Sequence, residues 1–346
     1  MDEKGTSVER KKITVYRNKK NGIYGYMEET KRYCNMIKID LITGFLGSGK
    51  TTFVKRYVKH LISEGTKVGI IQNDFGAVNV DMMLLQELEG ELCDIEQIAG
   101  GNTTEWKRRF KSKLIAMAME GFQRIIVEPS GIYDVDEFFD VLYESPIDQW
   151  YEIGSVIAIV DANLKEQMSE ESEYLLTAQV AKAGKVLLSK TDIASKEQIT
   201  KTIAHLHRNM EHIPCEKKPE VDIICKNIDE FTANDYQALM NCGKKSVELE
   251  KLWFDTHDVY DVLTFMNLSL QEERIRSAVE QIFRHPECGK ISRIKGFFQT
   301  EDNQWMEVNA TSTELYLNPL PEGQQVLIVI GQNLVQDRIV KFLEEL

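Results

Sequence analysis

No run of about 18 or more apolar residues occurs in the sequence, so the usual pattern of a membrane-spanning helix is missing. The charged N-terminus also lacks the apolar segment that a secretory signal requires. The six cysteines include no Cys-x-x-Cys or Cys-x-Cys pair, which favours reduced thiols over a disulfide framework. These absences together predict a cytoplasmic protein that has no membrane partner.

An excess of positive charge is also missing from most of the chain. The 346 residues carry a net charge of −13. Residues 1–35 hold nine Lys or Arg and five Asp or Glu, a net of +4, so the other 311 residues carry 33 − 50 = −17. An acidic body argues against nucleic acid as a partner. Residues 1–35 also show little apolar periodicity, and we predict that they form a flexible extension outside the fold.

The stretch GFLGSGKTT, residues 44–52, fits the pattern G-x-x-x-x-G-K-[ST]. A strand is predicted before it at 37–42, and apolar residues recur at helical spacing after it over 53–62. Glycines let backbone N–H groups approach phosphate oxygens, and a helix N-terminus adds partial positive charge. We expect Lys50 to reach the β- and γ-phosphates and the Thr51 hydroxyl to bind Mg²⁺. The predicted phosphate-binding residues are Gly44, Gly47, Ser48, Gly49, Lys50, Thr51 and Thr52.

Two further strands are predicted to end in acidic residues. Asp74 follows the apolar segment 67–72, and Glu128 ends the apolar segment 124–127. The second segment has the form of a Walker B strand, with Gly131 placed to donate its N–H to the γ-phosphate. We therefore predict that Asp74 and Glu128 organise Mg²⁺ and water together with Thr51. The predicted catalytic residues are Lys50, Asp74 and Glu128.

Strands and helices are predicted to alternate from residue 37 to about 225, which indicates a parallel sheet with the ligand at the carboxyl ends of its strands. After about residue 250, short strands, turns and two amphipathic helices indicate a mainly antiparallel sheet. The predicted fold is an α/β P-loop NTPase with a mainly parallel sheet, plus a smaller C-terminal α+β domain. The predicted boundaries are 1–35 for the extension, 36–228 for the P-loop domain, 229–250 for a linker and 251–346 for the C-terminal domain.

Taken together, these motifs resemble the CobW-like branch of the metallochaperone P-loop GTPases, which are relatives of the HypB- and UreG-type maturation GTPases. The resemblance implies GTP and Mg²⁺ as ligands, guanine recognition by Ser189, Lys190 and Asp192, and a separate metalloprotein or corrinoid-protein client. It leaves homodimer formation open. The segments that carry it are GFLGSGKTT (44–52), NDFG followed by VD (73–76 and 80–81), EPSG (128–131), VDA (160–162), SKTD (189–192), RIKGFF (293–298) and IVIG (328–331).

The chain departs from the family pattern at two places. Family members usually carry Cys-x-Cys-Cys where this chain has GGNTTE, residues 100–105, whose side chains offer only amide, hydroxyl and carboxylate oxygens. Such oxygens bind Zn²⁺ less tightly than three thiolates do. At the second place, Ser189 stands where the family has Asn or Thr. A nucleotide-dependent regulatory module without metal delivery therefore stays an alternative, as does an ATPase.

The histidines near residue 205 and the arginines give two further expectations. The residues His205, His207, His212 and Cys215 lie close together in sequence, but His205 and His207 are two apart on a predicted helix and do not share a face. We therefore expect an exposed helix end there rather than a metal site. No arginine is obviously placed to contact the phosphates in cis, so we predict slow intrinsic hydrolysis.

Overall fold

Seven parallel strands form the central sheet of the N-terminal lobe, residues 36–247, in the order β3-β2-β4-β1-β5-β6-β7. The computed structural model describes residues 36–74, 80–99, 103–213, 218–247, 249, 259–266, 272–300 and 302–344, with only the backbone of Asp74, Ala99, Thr103 and Glu344. The strands are β1 (Ile37–Thr43), β2 (Val68–Asp74), β3 (Cys93–Ala99), β4 (Arg124–Glu128), β5 (Tyr151–Asp161), β6 (Lys185–Ser189) and β7 (Ile223–Ile224). The helices are α1 (Lys50–Ser63), α2 (Val80–Leu85), α3 (Thr103–Met117), α4 (Val135–Leu142), α5 (Glu170–Lys182), α6 (Lys196–His212) and α7 (Ala233–Met240).

The central strands of this sheet are buried on both faces, as their nearly continuous apolar sequences predict. All five residues of β4 are buried. Two apolar cores lie on the two sides of the sheet: Leu41 and Val127 belong to one, while Ile42 and Ile126 belong to the other. This alternation of neighbouring residues fixes the strand register, so the carboxyl ends of β1 and β4 meet at one edge. The predicted α/β fold with a parallel sheet is confirmed.

The C-terminal lobe, residues 259–344, is a five-stranded antiparallel sheet in the order β11-β10-β9-β12-β8. The predicted antiparallel α+β fold is therefore also confirmed. Its strands are β8 (Asp261–Met266), β9 (Lys290–Gln299), β10 (Trp305–Ala310), β11 (Leu315–Leu320) and β12 (Val326–Gln332), and its helices are α8 (Glu272–Arg284) and α9 (Gln336–Glu344).

Both faces of the C-terminal sheet are covered, but by different partners. On one face, Ile294 and Phe298 of β9 pack with Ile275 of α8 and Ile339 of α9. The other face turns towards the N-terminal lobe, because Phe297 alternates with those two residues along β9. Phe297, Ile328 and Ile330 there form a cluster with Val80 and the loop residue Leu46. The two lobes thus belong to one compact unit, Met36–Leu346.

The segment 229–250, predicted as a linker, instead adds a helix to the N-terminal lobe within its described part. Leu239 of α7 is fully buried in the N-terminal core. Its carbonyl oxygen accepts a hydrogen bond from Ser155 Oγ at 2.5 Å, and the Met240 carbonyl accepts one from Arg124 Nη1 at 3.0 Å. The helix has only eight residues and a single fully buried side chain, so its apolar period was too short to recognise in the sequence.

Three further expectations concern the N-terminal extension, membrane spans and the strand boundaries. Residues 1–35 lie outside the described residues, so the predicted flexible extension stays a prediction. Among the described helices, none combines the length and the apolarity that crossing a membrane would require. The strands at 37–43, 68–74 and 124–128 agree with prediction to within about two residues at their ends, which is the usual uncertainty of such boundaries.

Candidate functional site

The loop between β1 and α1 has the backbone conformation that its glycines predict. Gly47 and Gly49 adopt left-handed backbone conformations, with φ of 75° and 87°, which residues with a Cβ rarely adopt. Gly49 directly precedes α1 and its carbonyl accepts the helical hydrogen bond from the Phe53 N–H at 3.1 Å. The loop therefore delivers the free N–H groups of the α1 N-terminus, beginning at Lys50, to the carboxyl edge of the sheet.

Lys50 lies inside this loop. It is 6% exposed, and its Nζ donates to the Gly44 carbonyl at 2.9 Å and to the Phe45 carbonyl at 3.5 Å. Burial lowers the pKa of Lys50 to about 8, although the nearby Glu128 carboxylate opposes this shift. A buried ammonium group held by neutral carbonyl oxygens gains from an added anion, so the arrangement favours phosphate binding at this point.

Thr51 and Glu128 meet as the sequence predicts. Thr51 Oγ1 donates to Glu128 Oε1 at 2.6 Å, and Gln72 Nε2 donates to Glu128 Oε2 at 3.0 Å. Burial raises the pKa of Glu128 and Asp81 adds to this effect, while Lys50 and these hydrogen bonds oppose it. Sequence reasoning missed Gln72, whose only signal is a polar residue within the apolar run of β2.

The site residues Ser48, Gly131 and Asp74 have different surroundings. Ser48 is 2% exposed, and its Oγ has no hydrogen-bond partner within the described structure. Gly131 lies directly behind the loop, since a Cβ at that position would be 2.6 Å from Leu46 N. Asp74 ends β2 opposite Ala99, but its side chain lies outside the described part of the chain. Contacts of Gly131 with the γ-phosphate and of Asp74 with Mg²⁺ therefore stay predictions.

The second predicted cluster, Ser189 to Asp192, lies at the end of β6 beside the same loop. A Cβ added to Gly49 would be 3.8 Å from Ser189 Cβ, so the two segments are neighbours. Lys190 has a left-handed backbone with φ of 56°. Its Nζ lies 2.7 Å from Asp161 Oδ2 and 2.6 Å from Glu314 Oε2, and Glu314 belongs to the C-terminal lobe. This contact between the lobes was not predicted.

A cavity of about 740 Å³ connects the two predicted clusters. Gly47, Gly49, Lys50, Thr51 and Thr52 line it at one end. Ser189, Lys190 and Asp192 line it as well, and one wall comes from the C-terminal sheet. We call that wall the pocket-facing surface; it consists of Arg293, Glu307, Asn309, Thr311, Glu314, Tyr316 and Asn318.

The pocket-facing surface lies close to the loop between β1 and α1. A Cβ added to Gly47 would be 2.7 Å from Thr311 Cγ2. Lys295, two residues after Arg293 on β9, forms an ion pair with Asp81 of α2 at 2.8 Å. Burial would raise the pKa of Asp81, but Lys295 and Arg293 outweigh burial and lower it to about 2. The C-terminal lobe therefore contributes charged side chains to the site as well as a wall.

The charge of the cavity is opposite to that of the chain as a whole. The lining holds seven basic and four acidic residues, whereas the whole chain has a net charge of −13. A basic cleft in an acidic protein concentrates small polyanions at the cleft. The basic residues are Lys50, Lys55, Arg56, Lys59, Lys190, Lys226 and Arg293, and the acidic residues are Asp192, Asp229, Glu307 and Glu314.

The predicted exposed helix end at His205, His207 and His212 is only partly exposed. His205 is 6% exposed, and its Nε2 lies 2.9 Å from Glu173 Oε2. His207 is exposed, as expected, and Cys215 lies outside the described residues. The expectation is therefore wrong for His205, because Glu173 on the neighbouring helix α5 provides a polar partner that the sequence pattern does not reveal.

Comparison with known families gives two matches that together span most of the chain. A model described as the CobW/HypB/UreG nucleotide-binding domain matches residues 38–250. A model described as the cobalamin synthesis protein cobW C-terminal domain matches residues 266–346. The first match contains the phosphate loop, Glu128 and the Ser189–Asp192 cluster, and the second contains the pocket-facing surface.

Individual relatives carry related names. The zinc chaperone YjiA of Escherichia coli (strain K12) is 30% identical over 273 residues, which cover 76% of this chain and 81% of that protein. The zinc-regulated GTPase metalloprotein activator 1 of Schizosaccharomyces pombe is 22% identical over an alignment covering 86% of this chain and 83% of that protein. The crystal structure of Zn(II)-bound YjiA GTPase from E. coli aligns at 18% identity over 90% of this chain and 99% of that one, with a TM-score of 0.41.

Proposed function

Because this chain belongs to the CobW/HypB/UreG family, we propose that it is a GTP-binding switch protein that hydrolyses GTP slowly and assists the maturation of a metalloprotein or corrinoid protein. The hydrogen bond between Thr51 and Glu128, at the mouth of a loop that holds a buried Lys50, is the observation that carries the proposal. It brings a hydroxyl and a carboxylate together beside the phosphate site, as a magnesium–nucleotide complex requires.

The residues present fit a triphosphate and Mg²⁺ by their chemistry. The buried Ser48 Oγ, which has no hydrogen-bond partner among the described residues, and the ammonium group of Lys50 suit phosphate oxygens. Thr51 and Glu128 supply the hard oxygen ligands that Mg²⁺ prefers, and Asp74 is the third proposed member of this set. Gln72 holds the Glu128 carboxylate in place from the side of β2. Mg²⁺ bound there would neutralise charge on the β- and γ-phosphates.

The other end of the cavity is proposed to bind guanine. Asp192 lines the cavity and its carboxylate would accept hydrogen bonds from two N–H groups of guanine. Lys190, which is held by Asp161 and Glu314, would lie along the base. Adenine lacks this pair of donors, so Asp192 would make GTP the preferred nucleotide over ATP.

Substitution of Lys50 tests the proposal directly. Lys50→Ala should abolish tight GTP binding and leave the fold intact, because the Nζ group contacts only loop carbonyls in the described structure. Equilibrium binding of labelled GTP and circular dichroism should be measured on the same preparations. Lys201→Ala is a matched control, since Lys201 is an exposed lysine on α6. A folded Lys50→Ala protein with wild-type affinity would refute the assigned phosphate site.

In a second form of the proposed function, the switch protein itself binds no transition metal. Residues 100–105 lack the thiolates that the family pattern supplies, and residues 100–102 lie outside the described structure. Within the described residues, no group of three or more His, Cys, Asp or Glu is placed to hold a metal ion. We therefore propose that the nucleotide-free protein retains no stoichiometric Zn²⁺, although similar proteins are named zinc chaperones.

Elemental analysis after dialysis against a mild chelator tests this second form. We expect only Mg²⁺, and only when GTP is present. About one equivalent of retained Zn²⁺, Co²⁺ or Ni²⁺ per chain would overturn the proposal.

Capture of a binding partner with a non-hydrolysable GTP analogue bound would identify the client. We further propose a cytoplasmic location, and size-exclusion chromatography with light scattering would test for a homodimer.

A further inference from the structure

Arg293 is the cationic residue of the pocket-facing surface. It lines the cavity from β9, and its Nε is buried with no hydrogen-bond partner. Within the described residues, the Arg293 side chain forms no hydrogen bond and no ion pair, while its backbone pairs with Ile330 in the sheet. Lys295, two residues further on the same face of β9, has its anion in Asp81. Lys295 is therefore neutralised, whereas the Arg293 side chain lines the cavity and has no ion pair among the described residues.

The position of Arg293 along the cavity is at the phosphate end. The strand register pairs Ile294 with Ala310, so Arg293 and Thr311 lie next to this pair on the same side, and Thr311 Cγ2 would be 2.7 Å from a Cβ added to Gly47. The positive charge of Arg293 also contributes to the lowered pKa of Lys50, for which burial is the main cause. Glu314, by contrast, binds Lys190 at the end near Asp192. The pocket-facing surface thus presents a cation near Lys50 and an anion near the proposed base site.

Glu307, an acidic residue of this surface that interacts electrostatically with Arg293, already has another partner. The Glu307 carboxylate accepts a hydrogen bond from Asn318 Nδ2 at 3.3 Å. Burial raises the pKa of Glu307, and the charge of Arg293 opposes that shift without an ion pair between the two. A partly buried guanidinium group that has no ion pair among the described residues gains from a ligand that supplies negative charge.

We propose that Arg293 binds the γ-phosphate of the nucleotide held by the loop 44–51, so that the C-terminal lobe supplies a catalytic arginine in cis. This inference rests on the proposed GTPase function. The planar guanidinium group offers paired donors that match phosphate oxygens, which an ammonium group does not. The expectation from sequence that no arginine reaches the phosphates in cis is replaced by this proposal.

The role of Arg293 follows from the charge changes of hydrolysis. The oxygen of water forms a bond to the γ-phosphorus, and the bond from that phosphorus to the β–γ bridging oxygen breaks. The electron pair of the broken bond stays on the bridging oxygen of GDP. One proton of the water passes to a phosphate oxygen, and the other stays on the attacking oxygen in the released phosphate. Arg293 would stabilise the negative charge that builds up between the γ- and β-phosphates.

The experiment compares Arg293→Ala, Arg293→Lys and the control Arg284→Ala in the full chain. Arg284 is exposed on α8 and pairs only with Glu280 in the described structure. Single-turnover hydrolysis of saturating GTP with Mg²⁺, and affinities for GTP and GDP, should be measured for each. Circular dichroism on the same samples reports the fold.

We expect Arg293→Ala to slow single-turnover hydrolysis by about 100-fold or more, since arginines in this role contribute about 10³–10⁵ in rate. The preference for GTP over GDP should fall about tenfold, the loss expected for a charge-assisted hydrogen bond, while GDP affinity stays unchanged. Arg293→Lys should be intermediate, because it keeps the charge and loses the paired donors.

Two results would overturn the inference in distinguishable ways. In the first, Arg293→Ala matches Arg284→Ala in hydrolysis rate and in GTP preference; Arg293 then has no such role, and the proposed GTPase function stands. If Arg293→Ala does not fold, the same comparison is made with Arg293→Lys. If the wild type binds GTP no better than Lys50→Ala, the proposed function fails and this inference fails with it.

Discussion

The ion pair between Asp81 and Lys295 joins the two lobes beside the nucleotide cavity, and replacing Asp81 by Asn should destabilise the protein strongly. The Lys295 side chain is 4% exposed, so without Asp81 it would keep a buried charge next to Arg293. Removing one partner of a buried pair costs about 3–5 kcal/mol of the free energy of unfolding. We expect Asp81→Asn to cost about 3 kcal/mol, the low end of that range, because Asp81 is partly accessible to water.

The reverse substitution should cost less. Lys295→Met leaves the Asp81 carboxylate, which is 20% exposed and still feels the charge of Arg293. Water and Arg293 both stabilise this carboxylate, so we expect a loss of about 1–2 kcal/mol. The order of the two effects follows from the difference in exposure between the partners.

Urea unfolding followed by circular dichroism, on nucleotide-free protein, measures both effects and the double variant Asp81→Asn/Lys295→Met. The double variant should cost less than the sum of the single ones by about 2 kcal/mol, because it removes both charges of the pair together. The exposed pair Glu280–Arg284 is the control, where the coupling should be about 0.3–0.5 kcal/mol. Additive effects at Asp81 and Lys295, or a coupling no larger than in the control pair, would refute the reasoning.

Three further predictions concern the nucleotide and the core. The pKa of Lys50 is about 8 in the nucleotide-free protein, so Lys50 loses its proton as pH rises from about 7 to 9, and GTP affinity measured by equilibrium binding should fall about tenfold. A Lys50→Met variant should lack this pH dependence, and a wild-type affinity that is equal at both pH values would contradict the prediction. Asp192→Asn should lower the preference for GTP over ATP by about 1–3 kcal/mol in competition binding; equal competition by GTP and ATP against the wild type would show that the base site is misassigned. Arg124→Leu should cost about 3–5 kcal/mol in urea unfolding, because it removes the cation that lies 2.6 Å from the fully buried Asp40 and leaves only the Tyr57 hydroxyl as a side-chain donor to this carboxylate. An unchanged midpoint would contradict this.

The sequence was sufficient for the parts of the site that local rules determine. A loop between a strand and a helix needs glycine at left-handed positions, and the pattern at 44–51 records that need. The meeting of Thr51 with Glu128 follows from the pairing of β1 with β4, since parallel strands place their carboxyl ends at one edge. The order of the parallel strands was not predicted, but the common edge was.

The pocket-facing surface could not be predicted from the sequence. Along β9, Arg293 and Lys295 alternate with Ile294, which is the pattern of a strand with one face in water. The structure uses this polar face to close a cavity, and the choice between solvent and a second lobe depends on tertiary packing. The only indication in the sequence was a cationic pair on a strand otherwise rich in apolar residues.

Contacts that cross large distances in sequence were missed for the same reason. Lys190 and Glu314 are 124 positions apart, and neither neighbourhood shows that the other exists. The burial of His205 against Glu173 likewise depends on how α5 and α6 pack. Periodicity reports which face of an element is apolar, but it does not report which polar groups two elements bring together.

The bridge from Lys190 to Glu314 has a consequence for turnover, because it makes one residue of the base site depend on the position of the other lobe. Binding effects between two sites are reciprocal: if GTP binds more tightly to the form with the bridge intact, GTP favours that form by the same factor. If the proposed function holds, a client that drew the C-terminal sheet away from Lys190 would accelerate nucleotide release. A client that preferred the bridged form would instead lengthen the lifetime of the GTP complex.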